Sequence, residues 1–166
     1  MSPKTPFNGM LLDHGVGVGK TCTAILTAEA FLELSPKNKV YILAPPSIQP
    51  GFYRTIFDSS RIKFGKEADI PNQHDGCTMN RYLMLTQTQF ERDKKDIELR
   101  VNRLISKRYS IMGYVAFRNM VNDILKQIPQ SLSAEKKRQQ ETRLLQKAFS
   151  GCLFIIDEAH NLRDVS

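Results

Sequence analysis

The chain has 166 residues, enough for one domain with one buried core, and its 41% hydrophobic and 25% charged residues exclude a disordered or fibrous chain. No stretch approaches the roughly 20 apolar residues that cross a bilayer, and Met1–Lys20 lacks the basic start and apolar core of a secretory signal, so an intracellular protein with no membrane partner is expected. The net charge of +7 sits in two segments: residues 91–108 carry seven Lys or Arg against four Asp or Glu, residues 126–147 carry six against two, and the rest of the chain is balanced.

In chain order, Gly9-Met-Leu-Leu-Asp13 reads as a short buried strand entering a tight loop at His14-Gly15, where glycines occupy every second position. From Thr21 onward, Ala24, Ile25, Ala28, Phe31 and Leu32 recur at helical spacing until Ser35-Pro36 stops the pattern. Val40-Tyr-Ile-Leu-Ala44 is a continuous apolar run closed by Pro45-Pro46 and predicts a second buried strand, followed by a short helix over about 49–57 with Pro50 in its first turn. Arg81–Thr86 and Tyr109–Gly113 are shorter strand candidates. Between them, 90–105 carries a thin stripe of Phe90, Ile97, Val101 and Leu104 among many charges, suited to packing along one edge only.

Phe117, Met120, Val121, Ile124, Leu125 and Ile128 share one helical face and predict a packed helix ending before Pro129. Residues 133–143 offer almost nothing to a core and predict a helix projecting into solvent, or a mobile insertion, with only Leu144, Leu145, Ala148 and Phe149 beyond them able to pack. Cys152–Ile156 is the clearest strand. Strands alternating with helices argue for an α/β domain over 1–166 on a parallel sheet, with 89–149 as a basic helical insertion before the last strand. Cys22, Cys77 and Cys152 are odd in number and share no ligand spacing with one another or with His14, His74 and His160, which predicts neither a disulfide framework nor a zinc site and fits a reducing compartment.

The chemistry begins at Gly15-Val-Gly-Val-Gly-Lys-Thr21. A polyphosphate held against the main chain needs residues without side chains and inward backbone N–H groups, and Gly15, Gly17 and Gly19 allow that. Gly15, Val16, Gly17, Val18, Gly19, Lys20, Thr21 and Cys22 are therefore the candidate nucleotide cradle. Lys20 can reach the β- and γ-phosphates, and the Thr21 hydroxyl can ligate Mg²⁺. The full eight-residue pattern would place glycine at position 14, where this chain has His14. At the other end, Leu153-Phe-Ile-Ile-Asp157-Glu158 presents two carboxylates at the C-terminal end of a strand, the edge at which ligands gather in open parallel sheets. Asp157 there can hold Mg²⁺, and Glu158 can orient and deprotonate the water that attacks the γ-phosphate.

Gly17-Val-Gly-Lys-Thr21 together with Asp157-Glu-Ala-His160 resembles motifs I and II of superfamily 2 helicases and translocases, in the DEAH-type spelling of the second motif. The strand 40–44 with Pro45-Pro46-Ser47 resembles their motif Ia, and Tyr109-Ser-Ile-Met-Gly-Tyr114 resembles the strand and tyrosine before motif II in Swi/Snf-type members. Leu11–Thr23 and Ile156–Arg163 are most similar to the helicase-like ATPases of large cytoplasmic DNA viruses, the poxvirus early transcription factor group among them.

The resemblance implies a RecA-like P-loop NTPase fold, ATP and Mg²⁺ as ligands, DNA or RNA as partner, a location in host cytoplasm or virion, and an association with transcription machinery. It implies that His160 couples ATP state to nucleic acid and that Pro46 and Ser47 touch a phosphate backbone. Motif III, a second RecA-like domain and the motif VI arginines are not found in these residues, so the resemblance implies a chain truncated after motif II that alone binds ATP weakly and turns it over negligibly. Two other functions fit the same residues: a phosphate-loop ATPase without a nucleic-acid role, and a non-catalytic docking module.

Overall fold

A computed structural model describes residues 9–12 and 19–159. Its central strand is β1 (Val40–Leu43), whose Val40 and Ile42 are fully buried. β4 (Tyr109–Met112) and β5 (Leu153–Ile156) pair with it on either side, both parallel, in the order β4-β1-β5. Val40 lies level with Tyr109 and Leu153, and Leu43 with Met112 and Ile156. A two-stranded antiparallel ribbon, β2 (Ile62–Lys63) with β3 (Gln73–His74), stands apart from this sheet.

The helices cover both faces, as a parallel sheet requires. Successive residues of a strand point to opposite faces. On the side of Ile42, the core is built by Ile25, Ala28 and Leu32 of α1 (Lys20–Leu34), Phe52 and Ile56 of α2 (Gln49–Ile56), Tyr82 and Leu83 of α3 (Arg81–Leu85), and Ile97, Val101 and Ile105 of α4 (Lys94–Arg108). On the side of Tyr41, α5 (Tyr114–Leu125) and α6 (Ala134–Phe149) supply an aromatic cluster. There Tyr41 stacks on Phe154 at 5.1 Å, with Phe149 edge-on to both rings and Phe117 5.7 Å from Phe149 and from Phe154.

Several expectations are met: β1, β4 and β5 fall where the apolar runs place them, α2 carries Pro50 in its first turn, and α6 has no buried residue. Others are corrected. Arg81–Thr86 is not a strand but the short helix α3, because Tyr82 and Leu83 turn inward as neighbours while Met84 and Leu85 remain exposed. Gly9–Leu12 forms no strand, and Met10 and Leu11 are exposed; Asp13 lies outside the described residues.

The stripe at 90–105 is a full core face rather than an edge. Ile97, Val101 and Ile105 are buried, Leu104 is half-buried, and Phe90 is exposed outside the helix. Asp93 caps this helix by accepting from the Lys95 amide at 2.9 Å, which fixes its start. The 89–149 segment thus holds α4 and β4 inside the main core, followed by α5 and α6 outside it. The apolar face of α5 is only half-buried, because α6 and β5 cover one side of it.

A charge cluster is sealed into the core at the end of the sheet where β4 begins. Glu29 of α1 is 1% exposed and accepts hydrogen bonds from the hydroxyls of Tyr82 (2.6 Å) and Tyr109 (2.5 Å). Its other oxygen faces Arg108 at 3.2 Å and Arg81 at 3.6 Å. One carboxylate therefore ties α1 to α3, α4 and β4, and a buried charge with partners on three other elements is costly to strip of any of them.

Burial pushes both tyrosine hydroxyls well above their ordinary range, helped by the Glu29 charge and, for Tyr109, first by Tyr82. Tyrosines whose ionisation is raised on folding stabilise fully below the unfolded value near 10, and lose that contribution as pH climbs above it. Tyr109→Phe should cost about 1.5–3 kcal/mol, the usual worth of a hydrogen bond to a charged group. Wild-type stability should hold its tyrosine contribution to about pH 9 and fall beyond about pH 10. Urea unfolding of both proteins from pH 7 to 11 checks this, and a variant as stable as wild type would contradict it.

Candidate functional site

The parallel register brings the C-terminal ends of all three strands to one edge. There β1 leads into the turn 45–48, β4 into Gly113-Tyr114, and β5 into Asp157-Glu158. The ladder runs one residue past the strands, with Ala44 donating to Met112 (3.1 Å) and Asp157 to Leu43 (3.0 Å).

Helix α1 begins at the same edge. Gly19 precedes it with φ at +84°, a left-handed conformation that a residue with a Cβ adopts only at a cost. Among the described residues no side chain caps this helix, and its first turn holds no acid, in contrast to the Asp93 cap and Asp96 of α4. The positive end of its dipole and its first amides are thus available to an anion.

Lys20 and Thr21, in the first turn of α1, line a cavity of about 180 Å³ together with Asp157. Its apolar walls include Leu12, Phe52 of α2 and Ile155 of β5. The structure therefore brings together three of the residues expected to hold a nucleotide and its metal. Lys20 is exposed, Thr21 and Asp157 half-buried. Glu158 follows directly and is exposed, with its backbone at φ +56°, but it does not line the cavity.

Gly15, Val16, Gly17, Val18 and His160 lie outside the described residues. Pro46 and Ser47 are exposed in the turn after β1, where Ile48 donates to the Pro45 carbonyl at 2.9 Å. They stand away from the cavity lining.

Two features escape a reading of residue types. Cys22, in the first turn of α1, is joined to Cys77 by a disulfide with a Cα–Cα separation of 5.7 Å, which corrects the expectation that no cysteines pair. The partners are 55 residues apart. They meet because Arg81 and Tyr82, just beyond Cys77, are held to Glu33 and Glu29 of α1. Cys152 is a free thiol. The second feature is Tyr114, whose hydroxyl donates to the backbone carbonyl of Asp157 and lies 3.3 Å from that of Glu158. Its signal in the sequence was its place after the strand 109–112, which carries no information about its partner.

Residues 3–165 match the family described as Type III restriction enzyme, res subunit. The chain belongs to this family. Among characterised sequences it is similar to a protein named "Putative ATP-dependent RNA helicase" in Acanthamoeba polyphaga mimivirus, at 29% identity over 98% of this chain and 22% of that protein. A second mimivirus protein of the same name is 26% identical, and a "Putative helicase" of Invertebrate iridescent virus 3 is 27% identical, each over 98% of this chain and 14% of the relative. The chain thus spans about a fifth or less of the length of these relatives. No solved structure matches it. The family match and the relatives agree with the helicase-like superfamily that residues 17–21 and 157–160 resemble. Among the described residues, no helix is long and apolar enough to cross a membrane.

The Cys22–Cys77 bond closes a long loop onto the first turn of the helix that carries Lys20 and Thr21. On the chain-entropy account, a closure of this length stabilises by about 4 kcal/mol at most. Reduction should lower the urea midpoint of the wild type and leave a Cys22→Ser/Cys77→Ser variant unmoved. Equal midpoints for the wild type with and without reductant would contradict the pairing.

Proposed function

We propose that this chain is the ATP-binding part of a nucleic-acid-dependent ATPase of superfamily 2, hydrolysing ATP with Mg²⁺ when completed by a second RecA-like domain. The reading rests above all on one observation: Lys20 and Thr21 of α1 and Asp157 after β5 line the same cavity, although 136 positions separate Thr21 from Asp157 in the sequence. The family match and the names of the viral relatives support it.

In this reading the backbone of 15–22 cradles the phosphates, and Lys20 neutralises the β- and γ-phosphates at the positive end of α1. The Thr21 hydroxyl and Asp157 carboxylate are hard oxygen donors of the kind Mg²⁺ takes. Among the described residues no cluster of three His, Cys, Asp or Glu could hold a metal by itself, which suits an ion completed by phosphate oxygens and water. Bound there, Mg²⁺ supplies charge neutralisation on the transferring phosphate. Glu158 orients the attacking water and takes its proton.

His160 links this site to the nucleic acid, and Pro46 and Ser47, exposed at the same sheet edge, touch its backbone. The basic helix α6, which buries none of its residues, adds charge to that partner surface. DNA or RNA as the tracked polymer, the DEAH-type assignment of 157–160, and a place in viral transcription with its machinery in host cytoplasm or virion are further parts of the proposal. The viral origin of the relatives supports them.

In the intact polypeptide, Lys20→Ala should weaken Mg–ATP binding about tenfold or more, since charged hydrogen bonds are each worth roughly 1.5–3 kcal/mol. Glu158→Gln should leave affinity within about twofold and lower turnover by about 10²–10⁴. Titration with a fluorescent nucleotide, and phosphate release with and without DNA or RNA, measure both. Neutralising Lys136, Lys137 and Arg138 should flatten the salt dependence of nucleic-acid binding. Unchanged affinity in Lys20→Ala would contradict the nucleotide site, and turnover indifferent to every nucleic acid would favour an ATPase without that partner.

A further inference from the structure

The residues that follow β5 are held in an unusual way. Among the described residues β5 pairs with β1 alone, and its last ladder bond is the donation from Asp157 to the Leu43 carbonyl at 3.0 Å. Glu158 then takes φ +56°, a left-handed conformation it shares with only two other non-glycine residues among those described. Such a conformation persists where surrounding contacts hold it.

The contact on this turn comes from the far side of the sheet. Tyr114 opens α5 directly after β4, which pairs with β1 on the side away from β5. Its hydroxyl reaches the Asp157 carbonyl and lies 3.3 Å from the Glu158 carbonyl, bridging the two outer strand ends. The base of the ring is fixed by the start of α5, where Phe117 donates to the Gly113 carbonyl at 3.0 Å. One turn on, Phe117 meets Phe154 of β5 at 5.7 Å. Helix α5 therefore grips β5 twice, once through the rings within the strand and once through the hydroxyl at its end.

We propose that Tyr114 is a positioning residue for hydrolysis: by holding the carbonyls of Asp157 and Glu158, its hydroxyl sets where the Glu158 carboxylate points. This rests on the reading of Glu158 as the group that activates water. Tyr114 does not line the cavity that Lys20, Thr21 and Asp157 share. It acts through the backbone of the two acids, and through it the placement of α5 bears on the catalytic turn.

The decisive variant is Tyr114→Phe, which keeps the half-buried ring and removes only the donor. In the intact polypeptide, with the nucleic acid that best stimulates the wild type, kcat should fall roughly two- to tenfold, the worth of one net hydrogen bond. KM for ATP should stay within about twofold, because Lys20 and Thr21 are untouched. In a Glu158→Gln background the same change should cost nothing further, as expected of residues that act as one unit. Hydrogen exchange should rise in peptides over 157–159 and remain unchanged over β1 and α1.

An unchanged kcat, a loss carried by KM, or an additive loss with Glu158→Gln would each overturn the proposal. Wild-type protein with no turnover under any nucleic acid would instead sink the ATPase reading. The exchange measurement would then still decide whether Tyr114 holds the turn, with unchanged exchange at 157–159 overturning it.

Discussion

The two parallel ladders on β1 set Leu43, Met112 and Ile156 level, so the chain leaves all three strands at the same edge of the sheet. Everything the site can do follows from that register. Shifting a strand by one residue would turn its side chains to the opposite face, carrying Tyr41 or Phe154 out of the aromatic cluster and Ile42 out of the core. It would also move Asp157 off the cavity that Lys20 and Thr21 line. Apolar packing on both faces thus fixes the height at which the carboxylate is presented.

The helix that brings Lys20 and Thr21 to this edge is fixed at three points. Its first turn is bonded to Cys77, its middle is buried through Ile25 and Ala28, and Glu29 anchors it to Tyr82, Tyr109 and Arg108. Removing a partner from Glu29 leaves a buried charge less well compensated in the core, whereas a surface pair such as Lys126–Asp123 contributes little. The polar cluster at one end of the sheet and the open helix start at the other are complementary: one holds α1 in place, and the other leaves its positive end available.

Much of this was legible from residue order, and the failures have identifiable causes. Val40–Leu43 and Leu153–Ile156 are strands because continuous β-branched and apolar runs between breakers fit a sheet buried on both faces. Lys20 and Thr21 meet Asp157 because α1 starts at the edge where β5 ends, the edge at which ligands gather in parallel sheets. Arg81–Leu85 was misread because five residues are too few for periodicity to separate a helix from a strand. Ile105 was missed beside Ile97 and Val101 because the surrounding charges hide a complete i, i+4, i+8 face. The Cys22–Cys77 bond and the Glu29 cluster were invisible because each joins positions at least 52 residues apart through tertiary packing alone.

The account stands or falls on whether the first turn of α1 and the end of β5 serve one ligand. A crystal structure of the polypeptide with Mg²⁺ and a non-hydrolysable ATP analogue tests this most directly. The account predicts the γ-phosphate against Lys20, with the metal at about 2.0–2.1 Å from the Thr21 hydroxyl and bound to Asp157 directly or through one water. A nucleotide seated elsewhere, or one held by α1 with its metal out of reach of Asp157, would contradict it.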